Sequence, residues 1–305
     1  MAMLLGATIF WAVSFPVMKA LAMEQQKLSP EGSSWFFALL GAIYRFGSAG
    51  LILALIICRN LRNITRLEFE QGLGLGVFGV GGILFQMDGL NYTAASTSAF
   101  LTQSYCLFIP LWVALMHRRL PPLKVFISVA LVVTGLAILA GLKFRDLRLG
   151  RGEAETLIAS LLFAGQILWL ERPRYANSNP IRFSVVMFVV MALLCLPGVW
   201  LTAPSAAACL RSFASPAALG FLGVLVVVCT LGGYLVMNRW QRDVTATEAG
   251  LVYSVEPVLT SVLTLFLPAW ISIWANINYP NESLTSRLLL GGGLITVANV
   301  LLQKR

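Results

Sequence analysis

Long apolar stretches separated by short polar turns run along the whole chain. Each stretch holds about twenty residues, enough for a helix to cross the roughly 30 Å hydrocarbon core of a bilayer. The breaks between them are rich in Gly, Pro, Asn and Ser, which favour turns. The pattern predicts ten membrane-spanning helices, at 2–23, 34–58, 71–90, 94–116, 124–142, 154–171, 181–201, 216–238, 246–267 and 285–302.

The two halves of the chain carry a similar polar signature at the start of an apolar stretch. In the first half NYTAASTSA at 91–99 opens the fourth helix, and in the second half DVTATEA at 243–249 opens the ninth. Thr97 and Thr247 are 150 positions apart in a chain of 305 residues. Five helices per half is an odd number, so the second half is inverted relative to the first. We therefore expect an all-α integral membrane protein with ten transmembrane helices in two inverted five-helix repeats, residues 1–148 and 149–305.

Composition agrees with a membrane protein and argues against a water-soluble domain. Apolar residues make up 58% of the chain and charged residues 11%, whereas soluble domains carry about 25% charged residues. The first stretch has no basic region before it and no small-residue cleavage site, so we interpret it as a retained helix rather than a cleaved leader. The five cysteines show no CxxC pair and no Cys/His spacing, and His117 is the single histidine. No metal or other cofactor is expected.

The basic residues predict how the chain sits in the membrane. A net charge of +9 could suggest nucleic acid, but the charges lie in short loops between apolar stretches, which is the pattern that orients membrane proteins. Of the 22 Lys and Arg residues, 13 lie on the side of both termini, 7 on the other side, and Lys19 and Arg45 lie inside helices. We expect a protein of the bacterial inner membrane with cytoplasmic termini, although the basic cluster at 143–151 argues the other way.

Several short motifs make the chain similar to a known family. They are GATIFWA at 6–12, YRF at 44–46, GLNYTA at 89–94, TEAGLVYSVEP at 247–257 and GGGLI at 291–295. Each alone is weak, because small residues are common in membrane helices. Their order and spacing, over essentially the whole chain, resemble the EamA-type branch of the drug/metabolite transporter superfamily. The resemblance implies a secondary transporter that works by alternating access and exports or exchanges small metabolites, such as amino acids or amphipathic drug-like solutes.

Polar residues at membrane depth are the candidate site, because burying them in hydrocarbon is costly. Glu256 is the strongest candidate, since it lies about ten residues, roughly 15 Å, into the ninth predicted helix. Either it binds a cationic group or carries a proton, or it is held by local hydrogen bonds beside Pro257, which interrupts the helix. Polar and aromatic residues at comparable depth are expected to bind the solute in one cavity. This set is Trp11, Ser14, Gln103, Tyr105, Gln166, Trp169, Tyr253 and Glu256.

A second set is assigned a structural or gating role. Arg45 lies mid-helix and could pair with Glu256, Asp88 or a substrate carboxylate, and a scaffold ion pair is favoured. The glycine-rich third helix is typical of close helix packing, the alternative being a pliable helix that moves in gating. Its GxGxxG match at 74–79 lies inside an apolar span without a preceding strand, so we infer no nucleotide site. The structural or gating set is Arg45, Asp88, Gly81, Gly82 and Pro257.

Three classes of function remain open at this point. A secondary transporter is favoured, with a small-molecule substrate and membrane lipids as its partners and no nucleic acid; a monomer is compatible with the pattern. An integral-membrane enzyme would need paired carboxylates, a His-rich set or a nucleophile near one interface, and the sequence has none of these. A membrane scaffold or sensor would usually bring a soluble domain. The insertion Pro268–Pro280, rich in Trp and Asn, is expected at the outer interface with Trp270 and Trp274 as anchors, the alternative being a gating role at that rim.

Overall fold

Helices make up the folded chain. The computed structural model describes residues 2–116, 118, 123–139, 149–244 and 246–303, and it has no β-strand among them. His117, the end of the predicted fifth segment and the basic stretch 143–148 lie outside the described residues. The α-helices are α1 (Ala2–Leu28), α2 (Ser34–Ile56), α3 (Arg66–Gly89), α4 (Ala95–Thr102), α5 (Tyr105–Met116), α6 (Leu123–Leu139), α7 (Arg151–Leu170), α8 (Pro180–Thr202), α9 (Ala206–Arg211), α10 (Pro216–Val224), α11 (Gly233–Trp240), α12 (Ala246–Tyr253), α13 (Glu256–Thr264), α14 (Leu267–Ala275) and α15 (Ser286–Gln303).

Six of the described helices are long and apolar enough to cross a bilayer. They are α1, α2, α3, α7, α8 and the stretch Pro216–Asp243, in which a π-helix (Leu225–Gly232) joins α10 to α11. A seventh arises if α13 and α14, bent by 54° at their junction, count as one span. The length and apolarity of these helices are those of an integral membrane protein. The count of ten spans stays a prediction.

Two predicted spans are each divided by a short break. The fourth is split at residues 103–104 into α4 and α5, and the ninth at residues 254–255 into α12 and α13. The second break has a cause in the sequence, because Pro257 has no N–H to donate and its ring disfavours a continuous helix. The first break has no proline within it, and polar side chains from other helices stabilise it, as shown below.

Local capping sets several helix ends. α3 begins at Arg66, five residues before the predicted start, because Thr65 and Glu68 form a capping box in which each side chain bonds the other's backbone N–H. Asn179 caps α8, accepting hydrogen bonds from two backbone N–H groups. Asn276 follows the last residue of α14, and its left-handed backbone (φ 51°) suits a helix C-terminus. These caps fix where the chain turns between neighbouring helices.

The glycines of α3 let it pack closely against α7 and α8. A Cβ at Gly72 would lie 2.6 Å from the carbonyl oxygen of Phe183 in α8. A Cβ at Gly82 would lie 2.5 Å from the ring of Phe163 in α7, and one at Gly81 would lie 3.0 Å from Leu162. Small residues at such crossings allow backbones to approach. The described packing is therefore the close-packing alternative, and a gating role for Gly81 and Gly82 stays a prediction.

The helices of the first part of the chain pack against helices of the second part. α3 packs on α7, and α1 packs on α10, the π-helix and α11. α4 and α5 pack on α7, and α12 and α13 pack on α1. α2 also packs on α8, α6 on α15, and α4 on α13. The backbones of α6 and α15 cross closely, since a Cβ on either Gly135 or Gly291 would lie 2.7 Å from the other's carbonyl oxygen.

The insertion predicted at the outer interface forms α14 and the loop after it. Trp270 and Trp274 are 71% and 58% exposed, and Trp274 packs edge-on against Phe221 with ring centroids 5.1 Å apart. Exposed Trp side chains are typical of the membrane–water interface. Their position relative to a membrane stays a prediction.

Candidate functional site

A cavity of about 570 Å³, its open mouth included, lies among seven helical segments. α1, α2, α3, α7 and α11 contribute to its wall, and so do the two broken segments, α4/α5 and α12/α13. The wall mixes charged, amide and aromatic groups with aliphatic ones, which suits an amphipathic solute. The lining residues are Trp11, Ser14, Phe15, Arg45, Ile83, Gln86, Thr102, Tyr105, Phe163, Gln166, Ile167, Tyr234, Met237, Tyr253 and Glu256.

The break between α12 and α13 presents Glu256 to the cavity. Pro257 cannot donate to the carbonyl of Tyr253, the residue four positions earlier. The Nε2 amide of Gln103 donates to that carbonyl at 2.9 Å and also to Glu256 Oε2 at 3.2 Å. Gln103 is fully buried and lies in the break between α4 and α5. One amide thus joins the two breaks and holds the carboxylate.

Glu256 is the first residue of α13 and is 5% exposed. The unpaired N–H groups at a helix N-terminus favour a negative charge there. Among the described residues, no Lys or Arg lies within 4.0 Å of its carboxylate. The side chain is therefore a buried acid that faces a cavity and has an amide, not a cation, as its hydrogen-bond partner.

The break between α4 and α5 is stabilised by hydroxyl and amide groups. Ser160 of α7 donates to the carbonyl of Thr102 at 2.8 Å, while the N–H that would serve this carbonyl in a helix, on Cys106, turns to Gln103 instead. Gln86 of α3 donates to the Thr102 hydroxyl at 3.1 Å. These contacts satisfy the freed carbonyl and place Tyr105, the first residue of α5, in the cavity wall.

Arg45 enters the cavity from α2 and is 1% exposed. Its Nε donates to Thr230 at 2.7 Å, and Nη1 lies 3.3 Å from the sulfur of Met18. Thr230 belongs to the π-helix, a geometry often found at functional sites. Asp88, one of the three partners open to Arg45 from the sequence, instead pairs with Arg151 at 2.6 Å. No Asp or Glu lies within 4.0 Å of Arg45 in the described part of the chain.

Aromatic rings form one wall. Trp11 makes edge-on contacts with Tyr234 and Tyr253, with ring centroids 5.7 and 5.4 Å away. Its indole N–H has no hydrogen-bond partner in the described structure, although it is buried. A Cβ at Gly233 would lie 2.5 Å from that nitrogen, so only glycine leaves room for the indole. The Tyr253 hydroxyl donates to Gln241 at 3.0 Å, which fixes the ring.

Most of the predicted binding set meets at this cavity. Gln103 lies behind Glu256 and is not part of the wall. Gln166 is part of it, and its amide donates to the carbonyl of Leu75 at 3.1 Å. Trp169 lies elsewhere, packed against Phe78 and under the guanidinium of Arg172 at 3.8 Å. Six predicted binding residues line the cavity: Trp11, Ser14, Tyr105, Gln166, Tyr253 and Glu256.

The sequence reasoning missed several lining residues. Gln86, Thr102, Tyr234 and Met237 are all in the wall. Gln86 is a polar residue inside an apolar span, so the rule that singled out Gln103 and Gln166 could have found it. Tyr234 and Met237 follow the π-helix in the same segment, and a regular 3.6-residue period counted through that segment does not predict which face they occupy.

The apolar helices and the polar cavity enclosed among them define an integral membrane protein. The chain belongs to the EamA-like transporter family, whose sequence model matches residues 1–141 and 151–273. An uncharacterized transporter of Archaeoglobus fulgidus is 23% identical over 187 residues, which are 60% of this chain and 54% of that relative. The chain thus spans about half the length of the curated relative it matches. A protein of known crystal structure has the same fold, with a TM-score of 0.58 at 14% identity over 97% of this chain and 95% of that one.

Proposed function

We propose that the chain is a secondary transporter of small metabolites, such as amino acids or amphipathic solutes, which it exports or exchanges by alternating access. Ten membrane segments form two inverted five-helix repeats, and the cavity opens in turn to each side of a bacterial inner membrane, with both termini in the cytoplasm. The buried Glu256, facing the cavity without a cation within ion-pair distance among the described residues, is the observation that carries the proposal.

The helix contacts support the inverted repeat. If segments are numbered one to ten, a two-fold axis exchanges each segment with the one five positions away. A contact between segments three and six then requires a contact between segments eight and one. A contact between segments four and six likewise requires one between segments nine and one. Both pairs of contacts occur in the structure. The contacts between segments two and seven, four and nine, and five and ten are each unchanged by the two-fold axis. The family model matches one stretch in each half, which agrees with such a duplication.

The chemistry of the cavity supports a solute with a cationic or protonatable group. A carboxylate at membrane depth has to be neutral, paired or hydrated. A substrate ammonium or a transported proton would supply the missing partner of Glu256, and the edge-on rings of Trp11, Tyr234 and Tyr253 offer apolar faces to the rest of the solute. Coupling requires that the proton or the substrate ammonium binds Glu256 in one conformation of the transporter and is released in the other.

The test replaces Glu256 by Gln, which keeps the volume and the hydrogen bond to Gln103 while removing the charge. Flux of radiolabelled amino acids and amphipathic amines is measured in proteoliposomes at matched protein incorporation. We expect the flux of Glu256→Gln to be at least about tenfold lower than that of the unmodified protein, which is the effect of losing a charged contact. The remaining flux should no longer depend on pH.

The matched control is Glu24→Gln. Glu24 is as buried as Glu256, at 2% exposed, but it lies outside the cavity, where it pairs with Lys27 and accepts a hydrogen bond from Ser215. The control variant should transport like the unmodified protein. Normal flux by Glu256→Gln would mean that the carboxylate only braces the helix break.

A further inference from the structure

The guanidinium of Arg45 is a buried charge without an anionic partner. Its neighbours are the Thr230 hydroxyl, the Met18 thioether and the ring of Phe46, whose centroid is 5.2 Å away. All three are neutral. The contacts use Nε and Nη1, and Nη2 has no acceptor in the described structure. An arginine stays charged in proteins, so it cannot escape the cost of burial by losing a proton.

The other ion pairs of the protein do not compensate this charge. Asp88 is fully buried, but its Oδ2 lies 2.6 Å from Nη2 of Arg151, and Nε of the same arginine donates to Glu155 at 2.8 Å. Glu256 lines the same cavity as Arg45, yet the two are not within 4.0 Å. The cavity thus carries a positive and a negative group held apart. A buried charge of this kind needs a partner and further hydrogen bonds to be stable.

We propose that Arg45 binds a carboxylate of the solute that occupies the cavity. The inference rests on the proposed function, because it identifies one end of the transported molecule. The planar guanidinium matches a carboxylate in shape and charge, and Nη2 supplies a free donor at the cavity wall. Thr230 fixes the direction of the guanidinium through Nε and leaves Nη2 for the ligand.

The rest of the wall sets the size and character of the ligand. Tyr234 lines the cavity together with Arg45 and Glu256 and is part of the aromatic wall with Trp11. Phe163 and Ile83 add further apolar surface. A carboxylate joined to a small aromatic or aliphatic body fits this arrangement, with its acid group at Arg45 and its body on the rings.

The test compares two probes of nearly equal shape, 3-phenylpropionate and 3-phenylpropan-1-ol, on the purified full chain in detergent. Affinity is measured by isothermal titration and by the rise in melting temperature that a ligand of the folded state produces. We expect the acid to bind the unmodified protein more tightly than the alcohol. Arg45→Gln should weaken binding of the acid by about ten- to a hundredfold, which is the effect of losing a hydrogen bond to a charged group. The affinity for the alcohol should be unchanged.

Lys19→Gln is the matched control. It removes a second cation from within a membrane helix, but Lys19 is outside the cavity and donates to the carbonyl of Thr93 at 2.5 Å. This variant should bind the acid normally. A chloride titration forms the third arm, because a small anion would also neutralise Arg45. Equal binding of acid and alcohol overturns the inference, and so does stabilisation by chloride with no preference for the acid.

The comparison of the two probes on the unmodified protein decides the matter even if Arg45→Gln does not fold. Binding in detergent requires no flux, so the proposed transport function and the proposed role of Arg45 can be contradicted independently of each other. Acid binding that depends on Arg45 without any transport would contradict the proposed function alone. Transport of amines or alcohols at full rate, with no tighter binding of the acid, would contradict the role of Arg45 alone.

Discussion

The hydrogen bond from Gln103 to the Tyr253 carbonyl allows a sharp test of how the helix break is stabilised. Pro257 removes the helical donor for that carbonyl, and Gln103 replaces it at 2.9 Å. Gln103→Leu keeps a side chain of similar size but leaves the buried carbonyl without a donor. An unsatisfied buried acceptor costs about 1–3 kcal/mol.

We expect a loss near the upper part of that range. Hydrogen bonds between membrane helices contribute on average only about 0.6 kcal/mol, because the partners find substitutes when one is removed. The Tyr253 carbonyl has no substitute in its own helix, and the same change also removes the 3.2 Å bond to Glu256. The free energy of unfolding is measured by titrating detergent-solubilised protein with SDS and following helicity by circular dichroism.

A second substitution separates this cause from a general loss of packing. Pro257→Ala restores an N–H that can donate to the Tyr253 carbonyl, so the cost of Gln103→Leu should fall by about 1 kcal/mol or more in that background. Gln166→Leu is the control, since its amide bonds Leu75 in α3 and should be indifferent to residue 257. An unchanged cost of Gln103→Leu in the Pro257→Ala background would refute the reasoning.

Two further outcomes test the packing and the orientation. Gly72→Ala should destabilise the protein by about 1–3 kcal/mol, because the new methyl meets a backbone carbonyl at 2.6 Å, whereas Gly293→Ala, with nothing within 4 Å, should be neutral or stabilising in the same unfolding titration. In intact cells a membrane-impermeant maleimide should label Cys209 but not Cys58 when each is the single cysteine. The α9 helix that holds Cys209 pairs through Arg211 with the loop before α2, at the end of α2 opposite to Cys58; labelling of Cys58 alone would reverse the proposed orientation.

The sequence gives the distance of a side chain from the predicted start of its helix, but not the direction in which the side chain points. Each residue adds about 1.5 Å along a helix, which is the basis for predicting Trp11, Tyr105 and Gln166 at similar depth, and all three line the cavity. Trp169 is one turn beyond Gln166, and that single turn takes it out of the cavity to the end of α7. Counting residues therefore locates a side chain only to within about one helical turn. One turn is enough to decide whether a residue lines the cavity.

Partners in space could not be read in the same way. The sequence leaves Glu256, Asp88 and a substrate carboxylate open as partners of Arg45. The structure gives Asp88 to Arg151, 63 positions away in the chain, through a contact between α3 and α7. The choice depends on the rotation and register of packed helices, which a pattern of apolar stretches leaves open.

The local sequence predicts one of the two helix breaks but not the other, and the difference has a physical reason. Pro257 marks one break because a missing donor and a ring clash act locally, wherever the helix is placed. The break at residues 103–104 is held by Ser160 and Gln86 from other helices. It exists only once those helices are packed, so no local signal can predict it. A site whose geometry depends on contacts between segments in this way is suited to change when the segments move, which is the property that alternating access would use.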